Sequence, residues 1–395
     1  MIYLYNSLTR KKEKFIPLYG KKVKMYVCGI TPYDTTHLGH AFTYIFFDVL
    51  ARYLRFCGYK ITYTQNVTDI DDDILRKAKE EKKDWKELGD FWTNKYLNDM
   101  KSLNVLPPTS YVKATDSIAK IVEIVKLLID KKFAYERSGN VYFEVSKFRS
   151  YGKLSGFNKK QMLIIAKERG GNPDDPLKKD ALDFLLWQKS KSNEPWWQSP
   201  WGQGRPGWHI ECSAMIKNYL GDQIDIHGGG RDLIFPHHES EIAQSESFTK
   251  KWPFVKFWLH TAMVLYQGEK MAKSLGNLIM ISDLLKRNTA NEIRWLLLSH
   301  HYRKLWEFEE NEFENIKENV LIVAKALERI GKTNEINSLY MNQFSSLMDD
   351  DLNTPHVLSF ILDLAKKIIK SSQNEGKVSL KCTLLKCLLI LGFEF

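Results

Sequence analysis

Apolar and polar positions alternate from Val23 in VKMYVC, the period-two mark of a buried strand, after a short strand, a polar turn and a basic run in residues 1–22. From Phe42 to Cys57 the stretch FTYIFFDVLARYLRFC is apolar on more than one face, which predicts a helix packed against a sheet. Gly58 stands in the usual helix-ending position, and a second strand is expected over residues 61–67. Strand, helix and strand with short connections predict a parallel α/β unit with a right-handed crossover. Between strand and helix, MYVCGITPYDTTHLGHA (Met25–Ala41) turns through Gly29, Thr31 and Pro32 and closes on His37-Leu38-Gly39-His40.

After Thr68 and the acidic run Asp69-Ile70-Asp71-Asp72-Asp73 the pattern changes. Residues 74–104 and 116–133 are charged and helix-periodic, separated by Pro107-Pro108. A strand-like VYFEV (141–145), a Gly/Asn/Pro/Asp-rich loop over 169–176 and a tryptophan-rich loop over 187–208 follow. Residues 95–205 thus read as an insertion between two halves of one nucleotide-binding sheet. The second half resumes at Gly207 and runs to about Ser282; from Asp283 onward the pattern is helical, with a turn near 331–337. No internal repeat is present, which excludes a solenoid.

A chain of 395 residues holds two or three domains with substantial cores. No apolar run approaches the ~20 residues of a membrane span, and MIYLYNSLTRKKEKF lacks a signal-peptide core. Five cysteines at no disulfide-like spacing point to a reducing cytoplasm. The net charge of +10 is met equally by a lysine-coated surface and by a polyanionic partner such as nucleic acid.

Cys28 and Cys212 stand beside Gly-rich or His-rich loops, and FPHHESEIAQ offers His237, His238, Glu239 and Glu241. If a helix begins near Pro236, His237 and Glu241 share a face. Two thiolates, an imidazole and a carboxylate suit tetrahedral zinc; read from spacing alone, the cysteines serve equally as small buried hydrophobes. Cys57, Cys382 and Cys387 read as core residues of their helices. A helix opening at His37–His40 would attract phosphate through its free N–H groups. Gly228-Gly229-Gly230-Arg231-Asp232, after DQIDIH, permits close backbone or ligand approach. Lys270 and Lys273, in KMAKSLGN, suit the charge developing on a triphosphate.

Together these pieces resemble the class I aminoacyl-tRNA synthetases. THLGHA stands where that class has His-x-Gly-His, and KMAKS where it has Lys-Met-Ser-Lys-Ser. MYVCGITPYD, NVTDIDD, GRPGWHIECSAM, DIHGGGRDLIFPHHESEIAQ and MDDDLNTP look like the cysteinyl group in particular. The resemblance covers nearly the whole chain. It implies an α/β fold: a Rossmann-like parallel sheet split by an α/β insertion, followed by a C-terminal α-helical bundle. The expected divisions are residues 1–94 and 206–282 for the two catalytic halves, 95–205 for the acceptor-end insertion, 283–309 for a stem-contact region and 310–395 for the bundle. It implies one zinc ion per chain on Cys28, Cys212, His237 and Glu241. It implies catalysis by His37, His40, Lys270 and Lys273. Gly29, Thr31, Gly39, Thr43, Gly228, Gly229, Gly230, Asp232, Val264 and Lys273 would hold ATP or the adenylate, and Cys28, Gly29, Thr68 and Trp208 the cysteine. Substrates would be L-cysteine, ATP with magnesium, and tRNA(Cys), acted on by a cytoplasmic monomer.

Three departures stand out. Ala272 replaces the usual serine of the lysine loop, Arg231 replaces another serine, and the chain stops at GFEF, so a short form lacking the anticodon-reading domain is expected. The cysteine ligases of mycothiol biosynthesis look similar, and GITPYDTTHLGHA, LPPTSYVKATDS and AKERGGNPDDP lean towards them. They would pass cysteine to a glucosaminyl-inositol amine. Glu241 and His227 lean towards the tRNA enzymes. A non-catalytic zinc and RNA-binding paralogue is a third alternative, against which His37, His40, Lys270 and Lys273 stand.

Overall fold

The alternating stretch forms β1 (Lys22–Ile30), and the helix after it, α1 (Leu38–Phe56), leads into β2 (Lys60–Val67) and then β3 (Ser110–Lys113). The later half supplies α2 (Trp208–Tyr219), β4 (Ile224–Gly230), α3 (Glu239–Thr249) and β5 (Val255–Thr261). The structure is a computed structural model describing residues 1–34, 36–271, 275–328, 335–371 and 374–395. The five strands run parallel in the order β5-β4-β1-β2-β3. Successive strands build outward from β1 in one direction and from β4 in the other, so the point where the order reverses lies between them. A crevice opens there beyond the carboxyl ends of the strands.

A boundary at 95 falls inside the helix Trp85–Ser102, and β3 beyond it pairs with β2 from Thr64↔Ser110 to Val67↔Lys113. The segment that leaves the parallel sheet therefore begins after Lys113. It carries its own five-stranded antiparallel sheet, ordered Ala134–Arg137, Asn140–Phe143, Phe184–Lys189, Gly202–Pro206, Trp197–Ser199. Antiparallel pairing follows from the short turn at Ser138-Gly139, which is too short for a parallel crossover.

Helix α1 buries residues all round, among them Leu38, Phe42, Phe46, Phe47, Leu50 and Leu54. Each such side chain contributes about 1.5–3 kcal/mol on leaving water. It lies between the sheet and the C-terminal helices Ala290–Leu298, Glu312–Leu327, Ser338–Asp349, Thr354–Lys370 and Asn374–Ile390, with which it shares one core. Asp48, on α1, is fully buried and meets Arg52 at 2.9 Å and Arg294 at 2.7 Å. Arg294 also donates to the carbonyls of Leu103 and Leu391. One guanidinium thus joins α1, the loop before β3 and the last turn of the C-terminal helices. The turn expected near 331–337 lies largely outside the described residues. No described helix is long and apolar enough to cross a membrane.

Candidate functional site

The end of β1 is irregular. It pairs with β2 up to Val27↔Gln65 and again at Ile30↔Val67, so Cys28 and Gly29 together face Asn66. Such a bulge re-aims the side chains that it carries. Gly29 is required here, because a Cβ would stand 1.6 Å from the Asn66 carbonyl oxygen. Its N–H donates to Asn66 Oδ1 at 2.8 Å. Cys28 is turned towards Cys212 on α2, with the sulfurs 3.9 Å apart.

Helix α3 and the turn Ile234–His238 before it bring two more donors. His237 Nε2 lies 3.1 Å from Glu241 Oε1, and Cys28 Sγ lies 3.8 Å from that same oxygen. The ligand atoms of Cys28, Cys212, His237 and Glu241 all fall within 4.8 Å of one another, and all four residues are buried. Zinc bonds of ~2.0–2.3 Å would space tetrahedral ligand atoms ~3.3–3.8 Å apart, so the cluster fits this ion in size as well as in donor type. Burial and the neighbouring Cys212 push the Cys28 thiol up. Burial pushes Cys212 up too, yet Cys28 and His237 together bring it down to about 6. Against burial, Cys212 and Glu241 raise His237 to about 10, and His227 and His237 hold Glu241 at about 2. Cys28 and His237 thus hold protons that a bound metal would displace.

A second set, Cys28, His227, His238 and Glu241, satisfies the same distance criterion. Its histidines reach both into the set and beyond it, His238 Nε2 lying 3.3 Å from Cys28 Sγ. His227 Nε2 meets Glu241 Oε2 at 3.0 Å, and His238 Nδ1 meets His260 Nε2 at 2.8 Å. His260 Nδ1 in turn meets Ser7 Oγ at 2.8 Å. Cys28, Cys212 and His237 line the cavity, whereas His227 and His238 do not. The first set therefore opens on the cavity through three of its members, while His227 and His238 stand behind it.

The cavity has a volume of about 1380 Å³. Its other half is built on the start of α1, where His37 is the N-cap and its Nδ1 accepts the Gly39 N–H at 3.1 Å. With Nδ1 accepting, a neutral His37 carries its proton on Nε2. Burial, then the neighbouring His40, lowers His37 to about 2, and burial lowers His40 to about 4. Both rings are neutral at physiological pH and lie tilted by 31° to each other, centroids 3.8 Å apart. Gly39 sits where a Cβ would crowd the His37 ring at 2.9 Å. Thr43, one turn on, meets Thr261 at the end of β5, Oγ1 to Oγ1 at 2.7 Å.

Gly29, Thr31, Gly39, Thr43, Thr68, Trp208, Gly230, Asp232, Val264 and Lys270 all line this cavity. Trp208 stacks on His237, centroids 4.4 Å apart. Gly228 and Gly229 do not line it. A Cβ on Gly228 would stand 2.0 Å from the Phe47 ring, and one on Gly229 2.8 Å from Leu233. Their smallness serves helix-to-sheet packing rather than ligand approach. Lys273 and Ala272 lie outside the described residues.

A family model described as the class I (C) tRNA synthetase catalytic domain matches residues 14–318, and a DALR domain model matches 343–395. The cysteine–tRNA ligase of Dehalococcoides mccartyi is 46% identical over 379 residues, covering 95% of this chain and 82% of that protein. The chain belongs to the cysteine–tRNA ligase family. The Pyrococcus furiosus ligase is 46% identical, covering 96% and 83%. A Mycobacterium tuberculosis methionyl-tRNA synthetase in complex with methionyl-adenylate superposes with a TM-score of 0.67 at 15% identity, covering 94% of this chain and 89% of that one, and shows the shared class I fold.

Within that family frame, several residues were not singled out from the sequence. His209 meets His237, Nδ1 to Nδ1, at 3.1 Å, and His260 stands behind His238, which the sequence offered only as one candidate beside His237. Arg169 of the insertion reaches Asp232. FPHHE displayed His238 openly, but nothing in spacing distinguishes a ligand from its neighbour when the strand that supports it, β5, is distant in sequence.

Proposed function

We infer that the protein activates L-cysteine with ATP and transfers the cysteinyl group to the 3′ end of tRNA(Cys). The observation that carries this reading is the cluster of Cys28, Cys212, His237 and Glu241, three of which line one cavity with the His37–His40 turn. Zinc held by those four residues would bind the substrate thiol as thiolate and so tell it from a hydroxyl. Thr68 and Trp208 line the adjoining cysteine pocket, and the bulge at Gly29 brings the backbone beside it. In the first step a carboxylate oxygen of cysteine attacks the α-phosphorus of ATP, and pyrophosphate leaves. The neutral rings of His37 and His40 donate N–H groups to phosphate oxygens, and Lys270 with Lys273 neutralises the departing charge. Asp232 accepts from a ribose hydroxyl, while Thr31, Thr43, Gly230 and Val264 bound the adenosine. In the second step a terminal ribose hydroxyl of tRNA attacks the adenylate carbonyl and AMP leaves. Catalysis rests on positioning and charge stabilisation, with no protein nucleophile. Magnesium would arrive with ATP.

The relatives' names favour tRNA over an amino sugar as acceptor. Zinc-loaded protein is expected to catalyse pyrophosphate exchange with cysteine and ATP and to leave serine inert. Cys212→Ala is expected to lose zinc and exchange together. Offered both acceptors, the adenylate should charge tRNA(Cys); transfer to a glucosaminyl-inositol amine alone would reverse the assignment of acceptor.

A further inference from the structure

The insertion sends one helix, Lys159–Glu168, to the nucleotide half of the cavity, and the residues at its end, from Glu168 to Asn172, line the wall there. The helix begins with a capping box between Asn158 and Gln161. It ends in a Schellman turn: Gly171 N–H donates to the Ala166 carbonyl at 2.8 Å and Gly170 N–H to Lys167 at 3.3 Å. Gly170 takes φ +83°, and a Cβ on Gly171 would stand 2.8 Å from the Ala166 oxygen, so the double glycine is what lets the chain fold back. Arg169 is the C-cap of this turn, and its backbone is fixed.

The arm is anchored independently of Arg169. Glu239, at the start of α3, accepts from the N–H groups of Leu154 and Ser155 at 3.4 and 2.9 Å. The Phe235 ring packs edge-on against Tyr151 and Phe157, each at 6.0 Å. The guanidinium nonetheless reaches Asp232, Nη1 to Oδ2 at 3.3 Å, with both side chains about 30% exposed in the cavity wall. An ion pair so exposed is weak enough for a ligand to break. Asp232 lies near enough to His37 for its charge to act on that ring.

We propose that Arg169 is an exchangeable arm of the nucleotide site: it pairs with Asp232, and when ATP binds it gives that carboxylate to the ribose and turns to the phosphates. This rests on the ATP-binding reading above. A ribose hydroxyl donates to the freed carboxylate, and a planar guanidinium suits phosphate oxygens two at a time. The arm thereby adds a cation from the insertion to the cavity that His37, His40 and Lys270 also line. It makes Arg169 a positioning residue that senses both the sugar and the charge of its ligand.

The test measures equilibrium binding of adenosine and of a non-hydrolysable ATP analogue to the full chain and to Arg169→Ala. Adenosine, which must displace the arm but cannot engage it, is expected to bind about 2–5-fold tighter to the variant. The ATP analogue, which loses its guanidinium partner, is expected to bind about tenfold more weakly. Arg169→Lys should fall between. A mere structural latch would shift both ligands in the same direction, and an inert surface pair would shift neither; either result overturns the arm. Cysteine-dependent pyrophosphate exchange by the unaltered chain is run alongside. Its absence would overturn the underlying reading and the arm together, whereas missing opposite shifts in an exchange-competent protein overturn the arm alone.

Discussion

At the residue scale the site is governed by burial acting on titratable groups. His40 is neutral in the folded chain because burial lowers it to about 4, while an unfolded imidazole takes up its proton below about 6.5. Between those values the unfolded state binds the proton and the folded state does not, so the contribution of His40 to stability falls as pH falls and is fully lost below about 4. Chemical denaturation at stepped pH should show this decline, and His40→Asn should lessen its slope without abolishing it, because burial lowers His37, His260 and His301 as well; an unchanged slope would contradict the assignment. The chemistry-bearing positions were visible in the sequence because MYVCGITPYDTTHLGHA and FPHHESEIAQ concentrate them. What surrounds them was not. His260 supports His238 from a strand whose sequence, VKFWLHT, reads only as buried and apolar, and Arg169 meets Asp232 across 63 residues.

At the element scale the strand–turn–helix unit of β1 and α1 was legible because its signals are local: alternation, an apolar helix, a terminating glycine. The bulge at Cys28-Gly29 was not, since alternation reports which face a residue takes and nothing about its register with β2. The strand β3 escaped notice because SYVK is short and follows two prolines; only its pairing with β2 gives it a place. The triple glycine illustrates the same limit. A Gly-rich loop suggested ligand approach, while Gly228 is set by the Phe47 ring of α1. Gly228→Ala is therefore expected to destabilise the fold by about 1–3 kcal/mol through overpacking. Phe47→Leu in the same chain should recover part of the loss, read as non-additive midpoints in denaturant. Additive losses would show that the two positions do not press on each other.

At the scale of the whole molecule, charge and core organisation matter most. A net charge of +10 suits a polyanionic substrate. If tRNA is held through roughly six phosphate contacts, its affinity should fall by about a thousandfold between ~50 and ~200 mM salt. Filter binding across that range would check it, and a flat response would exclude phosphate-dominated binding. The division into catalytic halves and bundle, plain from the change of periodicity near 283, hides the fact that α1 and the C-terminal helices bury one another in a single core.

That shared core sets an order of events during synthesis. Asp48 leaves the ribosome 246 residues before Arg294, and the Leu391 carbonyl follows Arg294 by a further 97. At ~5–20 residues per second the carboxylate waits for tens of seconds before its three-way junction can close. Arg52, one turn along the same helix, is made almost at once and holds the charge in the interval. The nascent chain thus carries its own temporary counter-ion, and the helix that opens at His37 acquires its final packing only when the turn at Leu391 has arrived.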